Sequence, residues 1–381
     1  MKNLFFAGLF LLMVFEILNV YFIMPLPGSQ QMNSVDLAYL LYRWRWTFRI
    51  IFGVMIAIGF FTCHFKNKWI PLVLFVLLFS VVYGVNFQMA ADHMFYQPNK
   101  VLMVNATNNK VDNNRLVLGI VNNGEAKAYP IQFLGFHHQI KDNIGGKPVL
   151  VTYCTVCRTG RVYEPIINGK EAQFRLVGMD HFNAMLEDAA TKSWWQQATG
   201  QAITGKMKGT KMPEFFSTQT SLEQWLQLNP QSLIMQADPA FASDYDSTFK
   251  FETGKSTSKL TGTDSLSGKE KSWVIGVKAG SEKKAYDWNT LKAKRIINDK
   301  MGSLPIALVL SKDDKSFFAF ERPDEASKFN LINDTIVLNN HHYKINGTGI
   351  DTSFSLKQLP AYQEFWHSWK FFNKDTSLYK Q

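Results

Sequence analysis

The chain has 381 residues, too many for one small domain and enough for two together with a membrane anchor. Three cysteines exclude a disulfide-stapled scaffold. The net charge of +10 comes mostly from scattered lysines; with no run of five or six basic residues and no nucleic-acid motif, it describes a solvated surface and no nucleic-acid partner.

Leu4 to Met24 is a near-continuous apolar stretch, broken by Glu16 and Asn19 and long enough to cross a bilayer. It exceeds the apolar core of a signal peptide, and Pro25-Leu26-Pro27-Gly28-Ser29 offers no small-x-small cleavage site, so an uncleaved anchor is expected. Further spans are expected at about 46–65, with Arg49 placed to snorkel, and at 69–87, with aromatic residues at both ends. The tight turn Lys66-Asn67-Lys68 joins them as a hairpin, and Cys63 in the second span reads as a buried, inert thiol. Residues 1–90 thus form a multi-pass anchor in the inner (cytoplasmic) membrane. Glu16 is costly there unless paired, and a contact with Arg43, Arg45 or Arg49 is expected in preference to an ion site. The basic turn and the signal-like first span favour a cytoplasmic N-terminus, which puts the soluble region outside the cytoplasm.

The soluble region reads as a duplication. Val117, Gly119, Ala128, Tyr129, Leu134, Ile140, Asp142, Gly145 and Pro148 recur 157 residues on as Val274, Gly276, Ala285, Tyr286, Leu291, Ile297, Asp299, Gly302 and Pro305. Further along, Trp225, Asn229 and Ser232 recur at a spacing of 144 as Trp369, Asn373 and Thr376. The expected organisation is a first copy at 91–240, a connecting segment at 241–271 rich in Ser, Thr, Gly and Lys, and a shorter second copy at 272–381. Leu116–Val121 and Glu125–Tyr129 flank Asn122-Asn123-Gly124, good hairpin chemistry, and a second Asn-Gly turn lies at Asn168-Gly169. A helix is expected from Pro130 to the histidine pair and another over 221–228 with Ser221 as its cap. The fold class is α+β: a strand-rich duplicated soluble region preceded by three transmembrane helices.

Chemistry concentrates at Tyr153-Cys154-Thr155-Val156-Cys157-Arg158, at the end of the β-branched run from Pro148. Cysteines three apart at a strand end can form a disulfide or hold one metal, and Arg158 beside Cys157 is expected to favour a thiolate. Arg rather than His after Cys157 removes the c-type haem signature. In the second copy Ser311 and Asp314 stand at the cysteine positions, and Lys294 and Arg295 at those of His137 and His138. His137, His138 and His181 are candidate third ligands for Cu(I) or Zn²⁺ beside Cys154 and Cys157, although adjacent residues of a strand point oppositely and one of the pair at most would join. Asp180 is expected to cap a helix through Glu187 whose buried face carries Trp194 and Trp195; His341-His342 reads as a polar hairpin edge.

These motifs resemble a bacterial domain family of unknown function. The resemblance rests on Ala128-Tyr129-Pro130, His137 with Asp142, Gly145-Gly146-Lys147-Pro148, Tyr153-Cys154-Thr155-Val156-Cys157 and Ser193-Trp194-Trp195-Gln196-Gln197. It covers most of residues 115–236 and, more loosely, the second copy. The chain departs from the family pattern at His138, where Glu is common, and at Lys141, where Asn is usual. Some members of that family are described as selenoproteins, which implies a redox-active pair. The expectation is a membrane-anchored thiol redox protein, with Cys154, Cys157 and Arg158 as catalytic residues and a redox partner protein. Its alternatives are a Cu(I) or Zn²⁺ module on the same cysteines and a binding or assembly protein with a structural disulfide.

Overall fold

The computed structural model describes residues 1–380. It is α+β, with several small sheets and three N-terminal helices long and apolar enough to cross a membrane: Lys2–Tyr21, Arg45–Thr62 and Trp69–Gln88. The chain divides into two compact units, one of residues 1–96 with 172–211, the other of residues 97–171 with 212–381.

In the first unit glycines set the helix spacing. A Cβ at Gly59 would lie 2.4 Å from the backbone nitrogen of Phe5, and one at Gly8 would press on Ile56, so the first two long helices touch through small residues as membrane helices commonly do. Glu16 is buried and takes two hydrogen bonds from Arg49, at 2.7 and 2.8 Å, and a third from Asn86 at 3.0 Å. Of the three arginines that could have paired with it, Arg49 does so.

Residues 172–211 add a three-stranded antiparallel sheet of Phe174–Asp180, Asn183–Asp188 and Trp194–Gln196. The helix expected after Asp180 is therefore a strand. His181 and Phe182, at φ 49° and 65°, turn the hairpin without a glycine, so the usual turn signal is missing. The tryptophans are buried as expected, but from a strand, with Trp194 packed on Tyr39 and Tyr42.

In the second unit one succession of elements occurs twice. Leu116–Asn122 pairs with Glu125–Pro130, a helix runs over Ile131–His137, and Gln139–Ile144, Lys147–Cys154 and Thr159–Tyr163 form a second sheet. Likewise Trp273–Ala279 pairs with Glu282–Asp287, the helix covers Trp288–Lys294, and Ile296–Met301, Leu304–Leu310 and Phe317–Glu321 follow. Registers agree: Gly119 faces Ala128 as Gly276 faces Ala285, and Leu150 faces Tyr163 as Ala307 faces Phe320. Each half closes with a strand beside the first hairpin and a short helix, Thr218–Ser221 with Leu222–Leu228 and Ala361–Phe365 with Trp366–Phe372. Ser221 caps its helix as expected, accepting from the Gln224 N–H at 3.1 Å.

The same polar pairs brace both halves. Tyr129 donates to Asp142 at 2.7 Å and Tyr286 to Asp299 at 2.9 Å, with Lys127 and Lys284 against those carboxylates. Trp225 Nε1 donates to Ser232 and Trp369 Nε1 to Thr376, both at 2.7 Å. Each indole lies on a glycine: a Cβ at Gly119 would stand 2.1 Å from the Trp225 ring, and one at Gly276 the same distance from that of Trp369. Neither ring can retreat without losing its hydrogen bond. Gly119→Ala and Gly276→Ala are each expected to cost about 3 kcal/mol, the upper end for overpacking, measurable by denaturant unfolding of the purified protein.

Candidate functional site

The strand carrying the cysteines is buried along most of its length, as its β-branched run leads one to expect. Cys154 closes it opposite Thr159, and Thr155–Arg158 form a four-residue turn with Arg158 at φ 56°. Both thiols are free, wholly buried, and joined by a side-chain hydrogen bond. Cys157 also hydrogen-bonds Ser368, and its carbonyl accepts the Phe365 N–H at 3.0 Å.

Burial pushes the Cys157 thiol well above its ordinary range. Its hydrogen bond to Cys154 and the nearby Glu364 carboxylate act in the same direction, and Ser368 pulls back against them. Cys157 is therefore a neutral thiol at physiological pH. Arg158, expected to favour a thiolate here, commits its guanidinium elsewhere. Its Nε donates to Gln363 Oε1 at 2.9 Å, its Nη atoms reach the Phe251 and Glu252 carbonyls at 3.0 and 3.2 Å, and its plane lies 3.7 Å over Trp273. Arg158 is a buried brace.

The groups around Cys157 come mostly from residues 271–368. Ser368 Oγ donates to Glu364 Oε2 at 2.9 Å and lies 3.2 Å from Thr159 Oγ1. Glu364, fully buried, forms an ion pair with the equally buried Arg161, whose guanidinium lies 3.6 Å over Tyr362. Burial lowers Lys271, with the field of Cys157 among the influences opposing it. His367 is lowered by burial and then by Lys271, while Glu270 and the Val156 carbonyl raise it. Ser368 and Glu364 were not foreseen: they lie some 200 residues from the cysteines, and no local motif marks them.

The histidines divide. His137 ends its helix and hydrogen-bonds the Tyr245 hydroxyl through Nε2 at 2.7 Å. His138 follows at φ 60° as the helix cap, and its Nδ1–H donates to the Tyr153 carbonyl at 2.8 Å. The pair thus sits at a helix end and not on the strand whose alternation would have separated them. His181 belongs to the first unit, where Asp180 holds its Nδ1 at 2.7 Å and Gln196 holds Asp180 at 2.9 Å. Among the described residues no three of the His, Cys, Asp and Glu side chains converge as a metal-holding group. His341 and His342 are exposed on a short hairpin strand, as expected.

The conspicuous motifs serve the frame. Tyr129 and Asp142 are the brace described above, and Asp188 accepts from Trp195 Nε1 at 2.9 Å while Glu187 accepts from Trp194 Nε1 at 3.2 Å. By sequence the chain belongs to the family described as Protein of unknown function (DUF3179), whose profile matches residues 97–376. No curated protein and no solved structure matches it.

His138 gives the second unit a pH dependence. Burial is the main cause lowering it from 6.5 to about 4, against the Tyr153 carbonyl bond that raises it; neighbouring His137 lowers it further. The unfolded chain takes up this proton near pH 6.5 and the folded chain only near 4, so protonation in between favours unfolding. Stability is expected to fall by on the order of 3 kcal/mol as pH drops through that window, then level off. His138→Asn keeps a residue that tolerates positive φ and removes the proton. Urea unfolding at pH 7 and 4.5 should show a smaller pH loss for the variant; equal losses would assign the effect elsewhere.

Proposed function

We propose that this DUF3179 protein is a membrane-anchored thiol–disulfide protein in which Cys154 and Cys157 cycle between dithiol and disulfide. The observation that carries the reading is the direct hydrogen bond between two wholly buried free thiols at one turn. Converting them to a disulfide releases two protons and two electrons, which pass to a partner disulfide that leaves as two thiols. The three apolar helices hold the chain at the inner membrane. A cytoplasmic N-terminus sets the second unit outside the cytoplasm, where disulfide exchange is at home.

On the same reading the two halves descend from a duplication. The matching registers and the paired Tyr–Asp and Trp–Ser/Thr braces support it. The second half then keeps the frame and carries Ser311 where the first has Cys154. A second reading, a structural disulfide without turnover, is favoured by the complete burial of both sulfurs. A Cu(I) or Zn²⁺ site on these cysteines would need a third ligand that His137, engaged by Tyr245, and His138, engaged by Tyr153, do not supply in these positions.

The test is a redox titration of the full chain, carrying Cys63→Ala, in detergent. One two-electron transition is expected, between about −120 and −300 mV, and Cys154→Ser should abolish it. A disulfide that neither glutathione nor thioredoxin reduces would establish the structural reading. Stoichiometric copper or zinc, lost in Cys154→Ser, would replace both.

A further inference from the structure

We infer that Ser368 and Glu364 form a proton relay that serves Cys157 as the resolving thiol, so that residues of the second half complete the site. This rests on the thiol–disulfide reading and goes beyond it by assigning the two cysteines different roles.

A buried thiol cannot hand its proton to bulk water at the moment its sulfur attacks, so an internal acceptor has to be in contact with it. The geometry supplies one in two links. Cys157 is hydrogen-bonded to Ser368, and Ser368 Oγ is 2.9 Å from Glu364 Oε2. Thr159 Oγ1, 3.2 Å from Ser368 Oγ, holds the hydroxyl in place, and Arg161 fixes the carboxylate from its other side. Cys154 and Lys271 also face the sulfur. His367, one residue before Ser368, is directed to the Val156 carbonyl.

Consider Cys154 joined to a partner's sulfur as a mixed disulfide. The Cys157 sulfur attacks Cys154 Sγ and forms the internal disulfide. The bond from Cys154 to the partner breaks, and its electron pair leaves on the partner as a thiolate. In the same step the Cys157 proton moves to Ser368 Oγ as the Ser368 proton moves to Glu364 Oε2. The departing thiolate later takes up the proton that Glu364 releases. The partner is reduced by two electrons and the cysteine pair is oxidised by two.

The assignment of Cys157 follows from the wiring: it is the sulfur joined to the hydroxyl–carboxylate pair, and Cys154 is the sulfur left for the partner. Ser368 and Glu364 are positioning residues in this scheme, acting on the substrate only through Cys157.

The experiment uses the full chain with Cys63→Ala in detergent, oxidised glutathione as the probe, and intact mass to separate mixed from internal disulfide between about pH 6 and 9. In Ser368→Ala the glutathione mixed disulfide should accumulate on Cys154, and closure at pH 7 should slow by about a hundredfold, with the rate recovering as pH rises. Ser368→Thr, which keeps the hydroxyl, should restore the wild-type pH profile. Glu364→Gln should slow closure in the same way. Should it fail to fold because Arg161 loses its partner, Ser368→Ala alone decides. A Ser368→Ala pH profile matching the wild type, or a mixed disulfide trapped on Cys157, overturns the relay and leaves the thiol–disulfide reading standing. A wild-type pair that never closes overturns both.

Discussion

A four-residue turn leaves backbone carbonyls that its own hairpin cannot satisfy, and a buried turn has no water to satisfy them. In this protein the carbonyl of Cys157 is met by the Phe365 N–H, at the start of the last helix and some 200 residues away in the chain. The reciprocal contact holds the other half: the Ser221 N–H, at the start of its helix, donates to Ser316 Oγ at 3.0 Å. Between the two clamps Gln219 donates to Gln363 at 3.1 Å, two residues that occupy matching places in their strands. Each half thus finishes the turn of the other. The cysteines are buried because their turn is one of these exchanged contacts.

That exchange sets the electrostatics of the site. Arg158 and Arg161 leave the same stretch of chain and are fully buried, which costs less the more of their donors find acceptors. Arg158 donates to Gln363 and to two carbonyls over Trp273; Arg161 pairs with Glu364 over Tyr362, while its Nε, 3.4 Å from Glu214 Oε1, makes no hydrogen bond. The field that Arg158 might have lent to Cys157 is spent in this packing. What faces the thiol is the Cys154 thiol, a hydroxyl, a carboxylate and the Lys271 ammonium, and burial outweighs that cation and keeps the proton on sulfur.

The frame was legible in the sequence because its signals are local. Asn123-Gly124 makes a hairpin in any context that offers two strands, and Pro130 and Ser221 mark helix starts by their own geometry. The spacing of the glycine, tyrosine and aspartate positions was legible for a related reason: Gly119 under Trp225 and Tyr129 on Asp142 tolerate few replacements, so their counterparts stand out. The 174–188 hairpin was not legible, since His181 and Phe182 take positive φ without glycine while Asp180 imitates a helix cap. Nor was the environment of the cysteines. The role of Arg158 depends on acceptors at Phe251, Glu252 and Gln363, far along the chain, and those of Ser368 and Glu364 on a contact no periodicity encodes.

The second half shows why the sulfur pair belongs to one turn only. At the place of Cys154, the Ser311 hydroxyl lies 3.0 Å from Gln224 Oε1 and 2.7 Å from Asp334 Oδ2; nearby, Ser316 and Ser221 both donate to Asp313. Buried hydroxyls and carboxylates demand such partners, and a turn wired this way is committed to structure. A thiol is less demanding: it behaves as a small apolar group with a weak donor, and can stay buried on fewer hydrogen bonds. Cysteine at 154 and 157 therefore leaves the exchanged clamp to the backbone and to Arg158. In the first half the backbone bond from Phe365 to Cys157 holds the two halves in register without help from either sulfur.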